Sequence, residues 1–178
     1  MRIIGGTAKG RRLVTPASGT RPMTGRVRES VFSILATRWD GANVLDLYAG
    51  SGSLGLEALS RGANEVVFVE SGRAGGECIR QNTEAVGLGG ELLAMSVEKA
   101  IPRLRSAFDV VFVDPPYAET DEAVGAVLTA IDSVLVPGGV VVLHRHASGI
   151  VSAPDFLTCS EQRRYGDAVV TIMEKATP

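Results

Sequence analysis

Cysteine is scarce in this sequence: only Cys78 and Cys159 occur, far apart and at no metal-ligand spacing. That leaves a disulfide open, and reduced thiols in a cytoplasmic protein are the simpler reading. Long apolar runs are missing as well. Val110 to Val113 and Val140 to Leu143 are far too short to cross a bilayer. The opening Met1-Arg2-Ile3-Ile4-Gly5-Gly6 has no apolar h-region, so no secretory leader is expected. Histidine is limited to His144 and His146. Two apart, they could share one side of a strand, but no third or fourth ligand accompanies them. No metal site is expected, and a solvent-exposed strand end is the reading adopted. Internal repeats and low-complexity segments are also lacking.

What is present suits one soluble globular unit. The 178 residues are 45% hydrophobic and 21% charged. A net charge of −2 argues weakly against nucleic-acid binding, but its distribution does not. Residues 1–38 carry Arg2, Lys9, Arg11, Arg12, Arg21, Arg26, Arg28 and Arg38 against the single acid Glu29. That is +7, and it leaves −9 for the other 140 residues. A basic N-terminal arm docked on an acidic domain would offer phosphate contacts; the plainer reading is a solvated basic tail.

Periodicity predicts the elements. Arg2 to Ile4 and Arg11 to Thr15 look like a small hairpin, followed by a loop over 15–22. A helix from about Thr24 follows from Val27, Val31, Ile34 and Leu35. From Asp40-Gly41 onward strands and helices alternate. The strands are Val44 to Tyr48, Glu65 to Val69, Glu91 to Met95, Asp109 to Val113 and Gly139 to Leu143. The helices are Ser53 to Ser60, Ala74 to Val86, Val97 to Arg105 behind a Ser96 cap, and Glu122 to Val134. This alternation implies a parallel sheet covered on both faces. Leu157 to Arg164 and Ala168 to Glu174 read as a closing hairpin that puts an antiparallel strand in the sheet. Residues 1–40 are expected to form a basic extension and 41–178 the main domain.

Two loops carry chemistry. Asp46-Leu47-Tyr48-Ala49-Gly50-Ser51-Gly52-Ser53-Leu54-Gly55 joins the first strand to its helix and contains G-x-G-x-x-G, with Glu70 twenty positions after Gly50. Glycines let backbone approach a ligand closely, and the acid can accept both hydroxyls of a ribose. A ligand-free tight turn is the plain alternative. The pattern suits an adenosine-containing cofactor, either a dinucleotide or S-adenosylmethionine. Asp46, inside the strand, favours the second, because a pyrophosphate would have to sit nearby in the first. A dehydrogenase would also need a further substrate domain beyond residue 178.

The second loop is Asp114-Pro115-Pro116-Tyr117, directly after the fourth strand. An amine on a nucleobase is a poor nucleophile because its lone pair is delocalised into the ring. A carboxylate (Asp114) and the carbonyl of Pro115 could accept its two N–H bonds, orient the nitrogen and favour charge build-up in the transition state. The prolines remove a competing donor. Tyr117 offers a flat face to a base taken out of its stack. An Asp-Pro turn closing a strand is the bland reading, outweighed by the glycine loop in the same sheet. In the last hairpin, Arg163-Arg164-Tyr165-Gly166 is either part of an RNA surface or a turn using positive φ at Gly166.

Several motifs occur in order: Arg2-Ile3-Ile4-Gly5-Gly6 with Gly10-Arg11, Arg21-Pro22-Met23-Thr24 with Arg26-Val27-Arg28-Glu29, Asp46 to Gly52, Leu56 to Ala63, and Asp114 to Tyr117. Together, over nearly the full chain, they resemble the bacterial 16S ribosomal RNA guanine-N2 methyltransferases of the RsmD type. The resemblance implies a class I, Rossmann-like methyltransferase fold, α/β, with a mostly parallel seven-stranded sheet whose last hairpin is antiparallel. It implies transfer of a methyl group from S-adenosyl-L-methionine to the exocyclic N2 amine of one guanine. The implied partner is 16S RNA within the small ribosomal subunit or its assembly intermediate, in the cytoplasm, with the enzyme a monomer that uses no metal and no membrane.

By position, the resemblance implies a catalytic loop of Asp114, Pro115, Pro116 and Tyr117. It implies cofactor contacts from Asp46, Tyr48, Ala49, Gly50, Ser51, Gly52, Glu70, Ser71, Ser96, Val97, Asp114 and Thr24, Thr24 and Arg26 bordering the cofactor or target pocket. The charge of the N-terminal arm makes Arg2, Lys9, Arg11, Arg12, Arg21, Arg26 and Arg28 the candidates for RNA contacts. Two places depart from the family's pattern: His144-Arg145-His146, where an acidic residue and a histidine are expected, and Ser71-Gly72-Arg73, where an Asp often follows the ribose acid. An adenine-N6 methyltransferase, an NAD-dependent oxidoreductase and a non-catalytic RNA-binding assembly factor remain the alternatives.

Overall fold

The computed structural model describes residues 1–16, 23–105 and 107–177; Arg21 and most of the expected 15–22 loop lie outside the described residues. The chain runs α1 (Gly25–Ile34), β1 (Asn43–Leu47), α2 (Ser53–Ser60), β2 (Glu65–Val69), α3 (Arg73–Val86), β3 (Glu91–Leu93), α4 (Val97–Ala100), β4 (Phe108–Val113), α5 (Asp121–Ala130), β5 (Leu135–His146), β6 (Leu157–Tyr165) and β7 (Ala168–Lys175). They build one seven-stranded sheet in the order β3-β2-β1-β4-β5-β7-β6. The pairs from β3 to β5 are parallel, and β7 is antiparallel to both its neighbours. The expected mixed sheet with a closing antiparallel hairpin is therefore observed.

Side-chain alternation along the strands sorts the core into two layers. Val44, Val66, Phe68, Val110, Phe112, Val140, Val142, Val170 and Ile172 face the layer that holds α1, α2 and α3. Leu45, Leu47, Val67, Val69, Val111, Val113, Val141, Leu143 and Met173 face α4 and α5. Because both faces are covered, the central strands read as continuous apolar runs, and that is why they were visible as runs in the sequence.

The N-terminal residues share the first layer: Ile3, Leu13, Val27, Val31, Phe32 and Trp39 pack in the same cluster as Val44 and Phe112. Phe32 and Trp39 meet ring to ring, with centroids 4.5 Å apart. The anchor of the first residues is Glu57 on α2. Its carboxylate accepts the backbone N–H groups of Ile4 (2.7 Å) and Gly5 (2.8 Å) and is also bonded to Arg61 Nε (2.8 Å). Fully buried, this charge is compensated by three donors. Glu57 takes up the Ile4 and Gly5 donors, and the expected N-terminal hairpin is reduced to a single antiparallel bridge between Arg2 and Arg12, with Ile3 N–H donating to the Arg11 carbonyl and Leu13 N–H to the Met1 carbonyl.

Other boundaries differ for local reasons. The Ser96 side chain makes no capping bond. The helix after it is α-helical only to Ala100 and tightens to a 3-10 turn at Ile101–Arg103, where Pro102 lacks the N–H needed to continue. The helix before β5 ends in a similar turn at Ile131–Ser133. Strand β5 is longer than predicted, with a register irregularity opposite Phe108 to Val110 that absorbs the Pro137-Gly138 segment.

Candidate active site at the carboxyl edge of the sheet

The strand order reverses between β1 and β4, so the loops leaving these two strands diverge and open a crevice at their carboxyl ends. Those loops are the two that the sequence singled out. The first runs from Tyr48 to Gly52. Tyr48 takes a left-handed φ of 59°, the single described non-glycine residue with positive φ, and Gly50 (56°) and Gly52 (74°) follow in the same region. Three such residues in five fold the chain back sharply, at a backbone cost that only the glycines avoid.

Glu70 at the end of β2 closes the loop. Its carboxylate accepts from the Gly50 N–H (2.7 Å) and the Gly72 N–H (2.6 Å). Gly75, which the sequence reading did not single out, matters here. A Cβ at that position would come within 2.9 Å of both the Glu70 carboxyl and the Gly50 carbonyl. The absent side chain lets α3 approach the loop. A glycine in the first turn of a helix following the ribose-type acid was the available signal.

Asp46 is buried beneath the loop, on the α2 side of β1. One carboxyl oxygen accepts the Gly55 N–H at 2.9 Å, while the other has no partner among the described residues. Burial pushes its pKa well above the usual carboxylate range; the Gly55 N–H opposes this, and the negative charges of Asp114 and Glu70 add to it. The Tyr48 hydroxyl is also unpartnered, and burial together with Glu119 and Glu98 pushes it up to about 12.

A cavity of about 260 Å³ lies over these groups. Tyr48, Gly50, Glu70, Ser71, Ser96, Val97, Asp114 and Pro116 of the expected site residues line it, joined by Glu98 and Glu119. Among the described residues four carboxylates and no cationic side chain stand in this wall, so it attracts a cationic ligand and repels a pyrophosphate. A sulfonium donor with an amino group fits that donor set, in which the Tyr48 hydroxyl is still unsatisfied; Asp46 and Ala49, also expected as contacts, are not among the residues lining it. A dinucleotide does not fit.

Not every expected contact falls here. Ser51 and Gly52 lie behind the loop, where the Ser51 carbonyl accepts from Asn82 and Gly52 packs toward Phe68. Thr24 is elsewhere too. It caps α1 by accepting the Val27 N–H and lines a second cavity with Arg26, Tyr117 and His144 rather than the first.

The second loop places Asp114 in the first cavity and Tyr117 in the second. The solvent-exposed strand end expected for the histidines is incorrect for His144. It is 3% exposed, and its Nδ1 sits 2.7 Å from Asp114 Oδ1. The cause is register: Val113 pairs with Leu143, which sets the next residue of each strand side by side. His146 lies near Tyr117, with ring centroids 5.5 Å apart. Arg145 braces the same loop from behind, donating to the carbonyls of Glu119 (2.9 Å) and Pro116 (3.4 Å) and to Asp121 (2.7 Å). Neither His144 nor Arg145 was foreseen as a partner of the loop, because each is about thirty positions away from it.

The basic residues divide. Arg2, Lys9, Arg11, Arg12 and Arg26 are exposed. Arg28 is not. It is buried, with Nη2 donating to the Arg2 carbonyl and Nη1 to Met1 Sδ. Burial lowers its pKa, against the favourable field of Glu57. Helical spacing turned Arg28 inward with Val27 and Val31, so it anchors the N-terminus and is unavailable to a phosphate.

A family model described as "Conserved hypothetical protein 95" matches residues 1–174. A Bacillus subtilis protein provisionally named rRNA methyltransferase YlbH is 33% identical over 184 aligned positions, covering 98% of this chain and 99% of that protein. Ribosomal RNA small subunit methyltransferase D of Escherichia coli is 41% identical over 119 positions, covering 66% of this chain and 60% of that protein's length. Among solved structures, one of Escherichia coli yhhF, provisionally titled a methyltransferase, superposes with a TM-score of 0.88 at 28% identity, covering 100% of this chain and 99% of that one.

Proposed function

The chain belongs to the family described as Conserved hypothetical protein 95 and has the Rossmann-like fold of S-adenosylmethionine-dependent methyltransferases, and from that premise we propose that it methylates the exocyclic N2 amine of one guanine in small-subunit ribosomal RNA. The donor is S-adenosylmethionine, and the substrate is the RNA of the small subunit or its assembly intermediate in the cytoplasm. The names carried by the relatives support ribosomal RNA as the acceptor.

The observation that carries the reading is the setting of Asp114. It stands at the carboxyl end of β4, lines the acidic cavity and is held through one oxygen by His144. When bound, S-adenosylmethionine supplies an electrophilic methyl group on a cationic sulfur. The chain's own groups do the rest. Glu70 would accept from the ribose hydroxyls, and Ser96 and Val97 would border the adenine. Gly50 would form part of the floor with Ser71 beside Glu70, and Tyr48 would offer its unpaired hydroxyl.

Asp114 accepts one N–H of the incoming amine and lowers the cost of the positive charge that develops on nitrogen. The Pro115 carbonyl accepts the other. It has no partner among the described residues, whereas the Pro116 carbonyl is already taken by Arg145 and by the Glu119 N–H. Tyr117, 44% exposed, is open to stack on the base.

The test is transfer of label from tritiated S-adenosylmethionine to unmodified small subunits, free ribosomal RNA and DNA, followed by mass mapping of the modified nucleotide. Label on guanine N2 of small-subunit RNA is expected. Label confined to DNA adenine rejects the reading, and tighter binding of NAD than of S-adenosylmethionine rejects the donor. Asp114→Ala should abolish turnover and leave donor binding largely intact; full turnover would mean that the catalytic loop is misassigned.

A further inference from the structure

A second cavity, of about 530 Å³, adjoins the first and carries the opposite electrostatic character. Its wall comes from three parts of the chain that are distant in sequence: Thr24 and Arg26 at the start of α1, Tyr117 and His144 beside the catalytic loop, and Arg164 with Asp167 in the turn between β6 and β7. Asp114 lines the first cavity and its hydrogen-bond partner His144 lines the second, so this pair forms part of a shared partition. We propose that the second cavity receives the acceptor nucleotide, with Arg26 and Arg164 binding the phosphates that flank it. The assignment rests on the methyl-transfer reading and adds to it the surface that holds the RNA.

Three observations support it. The volume falls within the range of roughly 300–1,000 Å³ in which organic ligands are held. Arg26 and Arg164 form no salt bridge among the described residues. The Nε of Arg164 donates to the Gly166 carbonyl at 2.9 Å, which sets the plane of the guanidinium and leaves its terminal nitrogens for a phosphate. Two arginines against the one acid Asp167 leave this wall cationic, while the first cavity presents four carboxylates and would repel an RNA backbone. From the second cavity a polyanion can bring a base to Asp114 without crossing that acidic field.

The hairpin turn is also tied to the site: the Tyr165 hydroxyl bonds Ser30 on α1, and the Asp167 carbonyl accepts the Ala147 N–H just after β5. Arg164 is thus carried on a braced turn.

The experiment uses the full chain, with unmodified small subunits or their RNA as acceptor and tritiated S-adenosylmethionine as donor. For Arg164→Ala, Arg26→Ala and the double variant, the expected result is a KM for RNA raised about 10-fold or more in the double variant, with the dissociation constant for S-adenosylmethionine and the melting temperature unchanged. The slope of log affinity against log salt should fall by about 1 per arginine removed. Arg164→Lys should recover the salt slope but only part of the affinity, since an ammonium cannot grip a phosphate in two places. Wild-type KM and salt slope in the double variant would overturn the assignment while leaving methyl transfer intact. A wild-type protein that labels no RNA would instead reject the parent reading, and the assignment with it.

Discussion

His144 Nδ1 and Asp114 Oδ1 lie 2.7 Å apart at the ends of two paired strands, joining residues thirty positions apart. A buried imidazole donating to one carboxylate oxygen leaves the other for the acceptor amine and restricts rotation of the carboxyl. His144→Leu should lower kcat about 10-fold or more, equivalent to ~1.4 kcal/mol of transition-state stabilisation, with KM for both substrates little changed. His144→Asn should recover most of the rate, because its Nδ2 falls near the position of the imidazole Nδ1. Steady-state kinetics at fixed pH check this; equal rates in the leucine variant and the wild type would remove His144 from the mechanism.

Asp46 has a folded pKa raised well above its ordinary value, chiefly by burial. Between the unfolded and folded pKa values the native state therefore binds more protons than the unfolded one, and stability falls as pH rises through that window. Asp46→Asn keeps an acceptor for the Gly55 N–H and removes the ionisation. Its stability should exceed that of the wild type at pH 8, and the advantage should vanish once the pH is below the ordinary carboxylate range. Urea melts from pH 4 to 8 measure the slope. A wild type as pH-independent as the variant would contradict the expected direction.

Glu57 holds the N-terminal segment through the Ile4 and Gly5 N–H groups. Glu57→Ala should destabilise the fold by ~3 kcal/mol or more, because it orphans these donors and leaves Arg61 and the buried Arg28 without their nearby carboxylate. Hydrogen exchange should accelerate first at Ile4, Gly5 and Ala8. Unchanged protection there would show that the segment is held by apolar packing alone.

Arg11 and Arg12 test the basic surface outside the second cavity. Both are exposed, and Arg11 already donates to the Ala85 carbonyl. Replacing the two by alanine should weaken RNA binding and reduce its salt slope by about 1 for each of the two that pairs with a phosphate. Arg28→Ala should behave differently, lowering the melting temperature through loss of its bonds to Met1 and Arg2. A reduced salt slope from Arg28→Ala without loss of stability would return Arg28 to the RNA surface.

Much of the site was legible because its parts are local. The glycine loop with Asp46 and Glu70, and the Asp114 to Tyr117 turn, each lie at a strand end, where alternating strands and helices gather ligand groups. Tyr48, Gly50, Glu70, Ser71, Ser96, Val97, Asp114 and Pro116 do line one cavity. Thr24 was assigned through the family resemblance and Arg28 as part of the basic arm, and neither lines the first cavity. Thr24 faces the neighbouring cavity, and Arg28 follows the apolar stripe of its helix into the core.

The sequence by itself determined the element order, the parallel sheet with its closing hairpin, and the two chemically loaded loops. Those depend on short-range periodicity, turn residues and apolar runs, all of which are written within a few positions of one another. Tertiary structure alone decided that His144 meets Asp114, that Arg145 braces the loop, that Gly75 makes room for Glu70, and that two cavities of opposite charge share a wall. Those relations follow from strand register and layer packing, which pair residues tens of positions apart, and no local pattern encodes which partners the register will bring together.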